Sequence, residues 1–301
     1  MRLRIAEAEM AVRFEKLAEL LSPCRLCPHH CMVDRRQGER GRCGVDAQAK
    51  VASFGPHFGE EPPLVGRRGS GTVFFSGCNL SCVFCQNYTI SHLGEGQEMD
   101  SADLAAVFVE LARRGCHNIN LVTPTHQAPV IVSALAMAQG VGLKLPIVWN
   151  SGGYESPEVL RLLDGIVDIY MPDAKYGDDA AAARYSGSPQ YATNLEAVLR
   201  EMHRQVGDLV IEEGIARRGM LIRHLVLPGG IADSDYVFDL IASHLGQETY
   251  LNVMEQYRPC YRADEYPEIA YRLPLSEYAE AVNSAREFGL HRGLPAFEKG
   301  T

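Results

Sequence analysis

Thr72-Val73-Phe74-Phe75-Ser76-Gly77-Cys78-Asn79-Leu80-Ser81-Cys82-Val83-Phe84-Cys85 is the stretch on which the reading of the fold turns. Thr72–Ser76 is rich in β-branched and aromatic residues, the composition of a strand. Gly77 breaks the run, and three cysteines follow at C-x3-C-x2-C spacing. A thiol-rich loop directly after a strand sits where an α/β barrel carries its chemistry, at the C-terminal end of the strand.

Outward from this stretch the chain alternates short apolar runs with capped helical segments, the pattern of repeated βα units. Strands are expected at 72–76, 118–123, 146–150, 167–171, 221–227 and 249–254. Helices are expected from Ser101 to Gly115, from Ser156-Pro157 to near Gly165, over 127–139, from a Thr193/Glu196 capping box to Gly207, over 233–245 and over 276–288. Six parallel strands with crossover helices give an α/β fold, a partial (β/α)6 barrel. A doubly wound sheet is the alternative. Residues 71–301 would form this barrel and its C-terminal helix. Residues 1–70 would form an N-terminal Cys-rich metal-binding extension: an amphipathic helix with Leu3, Met10, Phe14, Leu17 and Leu21 near one face, a metal knuckle, and a Gly/Pro-rich ordered loop leading into the first barrel strand.

The 301 residues carry a formal net charge of −9 and a pI near 5.6, which argues against broad nucleic-acid binding. No apolar run reads as a membrane span or signal peptide, so a cytoplasmic protein is expected. Nine cysteines in such a chain suit metal better than disulfides, and seven of them fall between positions 24 and 85.

Three thiolates at the Cys78, Cys82 and Cys85 spacing can wrap one cuboidal [4Fe-4S] cluster and leave its fourth iron open. An open iron can chelate the amino and carboxylate groups of S-adenosylmethionine and pass an electron into its sulfonium bond. A zinc site or buried free thiols are the plainer alternatives. The motif resembles the signature of the radical SAM superfamily, and Gly77-Cys78-Asn79-Leu80 with Cys85-Gln86-Asn87-Tyr88 resembles its pyruvate formate-lyase activating enzyme-related branch. The similarity runs through GEEPPL (59–64), NINLVTPTH (118–126), VDIYMPDAKY (167–176), EMHRQVGD (201–208), RHLVLPGG (223–230) and NVMEQYRP (252–259).

That resemblance implies roles residue by residue. Phe84, before the third cysteine, would lie near the adenine, with core packing as the alternative. Asp173 and Lys175 would hold the methionyl carboxylate and a monovalent cation, with a surface ion pair as the alternative. Asn150 and Ser151 stand where the activase has an acid and a hydroxyl on that cation, and the missing charge at Asn150 weakens cation binding. Arg223 would contact the cofactor or pair with Asp173. Relatives carry Gly-Gly-Glu-Pro after the second strand. Here Thr123-Pro124-Thr125-His126 stands instead, so Thr123, Thr125 and His126 would receive the methionyl amino group.

Cys24, Cys27, Cys31 and Cys43 follow C-x2-C-x3-C-x11-C, a set for structural zinc or an auxiliary iron–sulfur cluster. Arg25, Arg35, Arg36, Arg40 and Arg42 around them would offset thiolate charge, form a solvated surface, or make a docking face. Tyr257 and Arg258, after the last strand, would touch substrate or close the barrel edge. The expected partners are S-adenosylmethionine, an electron donor such as flavodoxin or ferredoxin, and a protein substrate, for which a glycyl-radical enzyme is the family's example. Modification of a small metabolite or peptide is the rival, and a non-catalytic metal-binding interaction protein is the rival of another class.

Overall fold

β-branched and aromatic runs bounded by glycine become strands, and the sheet they build sets the site. The computed structural model describes residues 5–295, so Leu3 lies outside the described residues. In chain order the elements are α1 (Glu7–Glu19), β1 (Ala49–His57), α2 (Pro62–Val65), β2 (Ser70–Phe75), α3 (Tyr88–Ser91), β3 (Gln97–Met99), α4 (Ser101–Arg113), β4 (Ile119–Val122), α5 (Ala128–Gly140) and β5 (Ile147–Ser151). There follow α6 (Pro157–Leu162), β6 (Ile169–Pro172), α7 (Asp179–Ser186), α8 (Tyr191–Val206), β7 (Val210–Glu212), β8 (Ile215–Leu225), α9 (Ser234–His244), β9 (Tyr250–Met254) and α10 (Leu275–Glu287).

Strands β2, β4, β5, β6, β8 and β9 pair side by side in that order, all parallel, with Gly71 opposite Ile119, Asn120 opposite Val148, Val148 opposite Ile169, Ile169 opposite Gly219 and Ile222 opposite Leu251. The sheet does not close on itself, and the fold is a partial (β/α)6 barrel. All six expected strands are present. Three others are additional and antiparallel: β1 on β2, β3 on β1 and β7 on β8. Of the segment leading into the first barrel strand, Pro62–Val65 is a short helix and Ala49–His57 a nine-residue strand. Gly55 and Pro56 disguise it in the sequence. Proline is tolerated because β3 covers only Ala49–Val51, leaving the outer edge at Pro56 without a partner strand.

Two helix starts differ from expectation. The Asp100 carboxylate, not Ser101, caps α4, accepting the Ala102 and Asp103 N–H groups at 2.8 Å. The Thr193/Glu196 box does not form. Helix α8 begins two residues earlier, and Asp179 accepts the Ala192 N–H at 2.7 Å and the Thr193 hydroxyl at 2.5 Å.

Helix α5 is apolar nearly all round because it is covered on its outer side by α1, through residues such as the fully buried Leu17. Inside the barrel a second apolar layer joins Val148, Ile169, Met171 and Leu221 with Leu64 of α2. Asn118 donates to the Leu64 carbonyl at 2.9 Å, fixing α2 as a stopper at the N-terminal end of the strands. Above it the lumen is open.

Candidate active site

The Cys78–Cys85 loop leaves β2 at the C-terminal end of the barrel, and its three cysteines line a cleft of about 850 Å³. Thr123, Asn150, Ser151, Asp173, Lys175 and Arg223 line the same cleft, each from the end of a different or neighbouring parallel strand. Gly77, at φ +77°, makes the turn into the loop, and a Cβ there would lie 2.3 Å from the Cys43 carbonyl oxygen.

The thiols are buried together. Desolvation, then the neighbouring sulfurs, pushes Cys78 upward, and burial pushes Cys82 up to about 11 against the pull of Lys175. The Leu80 N–H donates to Cys78 Sγ at 3.3 Å, the Ser186 hydroxyl to Cys82 Sγ at 3.0 Å, and Cys85 Sγ stands 3.2 Å from Ser91 Oγ. Among the described residues no three His, Cys, Asp or Glu side chains are drawn to one point at metal-ligand distance. The donor chemistry nevertheless fits a three-thiolate cluster: the sulfurs are mutual electrostatic neighbours, carry N–H and O–H donors suited to thiolates, and face a cavity rather than a fourth cysteine.

Lys175 Nζ and Asp173 Oδ2 pair at 2.5 Å on the cleft wall. Burial opposes the Lys175 charge, but Asp173 and Cys82 outweigh it and raise its pKa, so the ammonium stays charged. The pair is held from behind: Tyr191 donates to the Asp173 carbonyl at 2.8 Å and accepts the Lys175 N–H at 3.0 Å. Gly153, at φ +76°, lets the chain pass the Asp173 carbonyl, where a Cβ would come within 2.1 Å.

Arg223 does not pair its side chain with Asp173. The two meet through backbone, with the Ala174 N–H donating to the Arg223 carbonyl at 2.7 Å. Its guanidinium instead reaches Glu61 through Nε and Nη2, each at 2.6 Å, and Glu60 through Nη2 at 2.5 Å. Asn252 Nδ2 adds a bond to Glu61 at 2.8 Å, and His57 Nδ1 lies 3.0 Å from Glu60. Burial alone would raise the Glu61 pKa, but Arg223 and Asn252 hold it below the usual carboxylate range. This Glu60–Glu61–Arg223–Asn252 network lines the cleft. Of its members only Arg223 has a role expected from sequence, and the adjacent acids in GEEPPL are the trace of its partners there.

Several expected contacts lie off the cleft. Phe84 is buried edge-on against Tyr257, 5.7 Å between ring centroids. Tyr257 itself is buried, donating to the Ile269 carbonyl at 2.6 Å, and Arg258 is exposed beside a separate groove. Thr125 donates to Glu155 Oε1 at 2.6 Å, and His126 Nε2 donates to the Ser76 carbonyl at 2.9 Å. Burial keeps His126 neutral, pushing it down to about 4. Of Thr123-Pro124-Thr125-His126 only Thr123, held at φ +59°, reaches the cleft.

The N-terminal cysteines form a second group, with Cys24, Cys27 and Cys43 buried and Cys31 half-buried. The arginines around them do not make one solvated face, because Arg35 is 1% exposed.

Residues 72–229 match the family described as the Radical SAM superfamily. An uncharacterised protein of Methanocaldococcus jannaschii, MJ0674, is 33% identical over 288 residues, covering 93% of this chain and 79% of that protein. A second from the same organism, MJ0808, is 26% identical over 302 residues, covering 93% and 82%. Among solved structures, HydG, described as a maturase of the [FeFe]-hydrogenase, matches at a TM-score of 0.46 and 14% identity, covering 70% of this chain; the chain spans 47% of that structure. The chain belongs to the radical SAM superfamily, enzymes that generally use a [4Fe-4S] cluster and an electron donor to cleave S-adenosylmethionine.

Proposed function

We propose that the cleft binds S-adenosylmethionine against Cys78, Cys82 and Cys85 and uses it to remove hydrogen from a second molecule admitted to the same lumen. The observation that carries this reading is the gathering of the three loop thiols, Asn150, Ser151, Asp173 and Lys175 in one cleft. When bound, a [4Fe-4S] cluster supplies the electron that breaks the sulfonium bond, giving methionine and a 5′-deoxyadenosyl radical. Lys175, charged and braced by Asp173, is placed to receive the methionyl carboxylate. Thr123 offers its hydroxyl to the amino group, the part expected of Thr125 and His126 as well. Asn150 and Ser151 supply neutral donors and acceptors on the neighbouring strand end. Asp173, expected to serve a monovalent cation, is ion-paired with Lys175, so no cation enters this reading. The apolar stopper around Leu64 excludes water from the base of the lumen.

The likeness to activating enzymes supports a glycyl-radical protein as hydrogen donor. A second reading, a small polar substrate, is favoured by the Glu60–Glu61–Arg223–Asn252 lining and by Asn120. Asn120 shares a face of β4 with Val122, and both its amide atoms are buried without a partner among the described residues.

The test is anaerobic reconstitution with iron and sulfide, then dithionite and S-adenosylmethionine. 5′-Deoxyadenosine should form in the parent and not in Cys82→Ala. Equal yields from the two would remove the proposal. A glycyl-radical EPR doublet on an added partner protein would choose the first reading over the second.

A further inference from the structure

We propose that the Glu60–Glu61–Arg223–Asn252 wall of the cleft selects a small substrate bearing an ammonium group, and that Asn120 holds a second polar group of the same molecule at the cleft floor. This rests on the reading of the cleft as a substrate lumen, and it names the class of molecule admitted.

The first observation is an imbalance of charge. Among the described residues the cleft is lined by three carboxylates, Glu60, Glu61 and Asp173, against the two fixed cations Lys175 and Arg223. Asp173 and Lys175 answer each other at 2.5 Å. Arg223 is left to two carboxylates whose side chains are only 6% and 5% exposed. Charge so nearly buried calls for a partner. His57 approaches Glu60 at 3.0 Å, but it stands at the rim with 44% of its side chain exposed. S-adenosylmethionine held by its amine and carboxylate is neutral overall, sulfonium against carboxylate, so it leaves the excess in place. Each Glu60 oxygen accepts one bond, from His57 or from Arg223, and has capacity for another from an ammonium N–H. A cleft wall with an excess of one sign concentrates ligands of the other.

Asn120 is the independent observation. It is fully buried, and neither of its amide atoms has a partner among the described residues. Alternation along β4 puts it on the same face as Val122, which lines the cleft, and Asn118, which donates to the Leu64 carbonyl of α2. The register agrees, since Asn120 lies opposite Val148 of the apolar layer around Leu64. The amide is therefore aimed into the lumen between the cleft and its stopper. A buried amide without partners costs stability, and a ligand that supplies the bonds accounts for it. Phe74, Val122 and Met254 line the same cleft and suit a short carbon chain joining the two polar ends.

Ligand-observed NMR on the reconstituted, oxidised protein without reductant tests this, because no radical forms there and cofactor cleavage plays no part. The probes, at millimolar concentration, are δ-aminovaleramide, δ-hydroxyvaleramide and the monoamide of glutaric acid. They share an amide and carry an ammonium, a hydroxyl or a carboxylate at the other end. The ammonium probe should bind about 10-fold more tightly than the hydroxyl probe, and the carboxylate least. Equal or undetectable binding of the three, or preference for the carboxylate, overturns the ammonium site even where 5′-deoxyadenosine forms normally. Loss of 5′-deoxyadenosine formation with the ammonium preference intact faults the cofactor reading instead. Glu60→Gln/Glu61→Gln should reverse the order in favour of the carboxylate. Should that protein not fold, Glu60→Gln, which keeps both bonds from Arg223 to Glu61, should narrow the gap between ammonium and hydroxyl severalfold. An unchanged gap overturns the wall's role. Asn120→Leu removes an unpaired amide, so it should not lower the melting temperature, yet it should weaken all three probes alike by about 3–10-fold. Unchanged binding overturns the part given to Asn120.

Discussion

At the scale of single residues, the cleft depends on Arg223 being held by two acids. With Glu60 and Glu61 both near 5–6% side-chain exposure, the guanidinium stabilises two carboxylates that would otherwise repel each other on the cleft wall. Arg223→Met should destabilise the fold by about 3–5 kcal/mol, because it removes the charge that both carboxylates share and leaves Glu61 with Asn252 and Glu60 with His57. Glu61→Gln should cost less, about 1–3 kcal/mol, since Glu60 still pairs with Arg223. Urea unfolding of the two variants measures the ordering, and a reversal would show that Arg223 is not the shared partner. On the cofactor side, Lys175→Met should weaken S-adenosylmethionine binding by about 10–100-fold, the worth of one charge-assisted bond, as read by anaerobic equilibrium dialysis. The cysteines were legible in the sequence because their spacing is local. The acid pair was not, because Glu61 and Arg223 are 162 positions apart and only the fold brings them together.

At the scale of elements, β8 carries a pH sensitivity. His224 is fully buried, with Nδ1 2.6 Å from the Ala174 carbonyl and Nε2 2.8 Å from the Ser234 hydroxyl. Burial pushes it down to about 4. A histidine depressed in the folded state is protonated first in the unfolded chain, so its contribution is whole above about pH 6.5 and is lost as pH falls toward about 4. Stability should therefore drop across that window by about 1–3 kcal/mol more in the parent than in His224→Gln. Thermal melts in matched buffers would show it, and parallel profiles would contradict it. Helix α8 offers a second case. Asp179→Ala removes the carboxylate that serves the Ala192 and Thr193 groups and should cost about 0.5–2 kcal/mol, whereas Glu196→Ala, its partner box absent, should be nearly silent. Barrel strands were readable from their unbroken apolar runs. The antiparallel strands were not, since β1 contains Gly55 and Pro56 and β7 is exposed throughout.

At the scale of the whole molecule, two glycines control how the parts fit. Gly153→Ala would drive a methyl group into the Asp173 carbonyl, and Gly77→Ala one into the Cys43 carbonyl. Both should lower stability by more than 1 kcal/mol, roughly, and disturb the cleft, because φ there is positive and the clashing atoms are backbone. 5′-Deoxyadenosine yield per folded protein is the measure, and full yield from either variant would refute the coupling. The parallel core was legible from repeated βα punctuation. The joining of the N-terminal segment to the Cys78–Cys85 loop was not, because it rests on contacts between distant positions, such as Gly77 against the Cys43 carbonyl and His29 on the Asn79 carbonyl, that no local pattern announces.

The strand order has a consequence for how the chain is made. In the parallel part of the sheet each strand lies beside the one synthesised before it, from β2 through β9. A chain leaving the ribosome N-terminus first thus finds the docking edge for every new strand already built. Helix α2 precedes all six of these strands, so the barrel wraps around its stopper as it grows instead of receiving it afterwards. Cys24, Cys27, Cys31 and Cys43 precede every strand of that wall, so the segment that packs on Gly77 is made before the loop it touches.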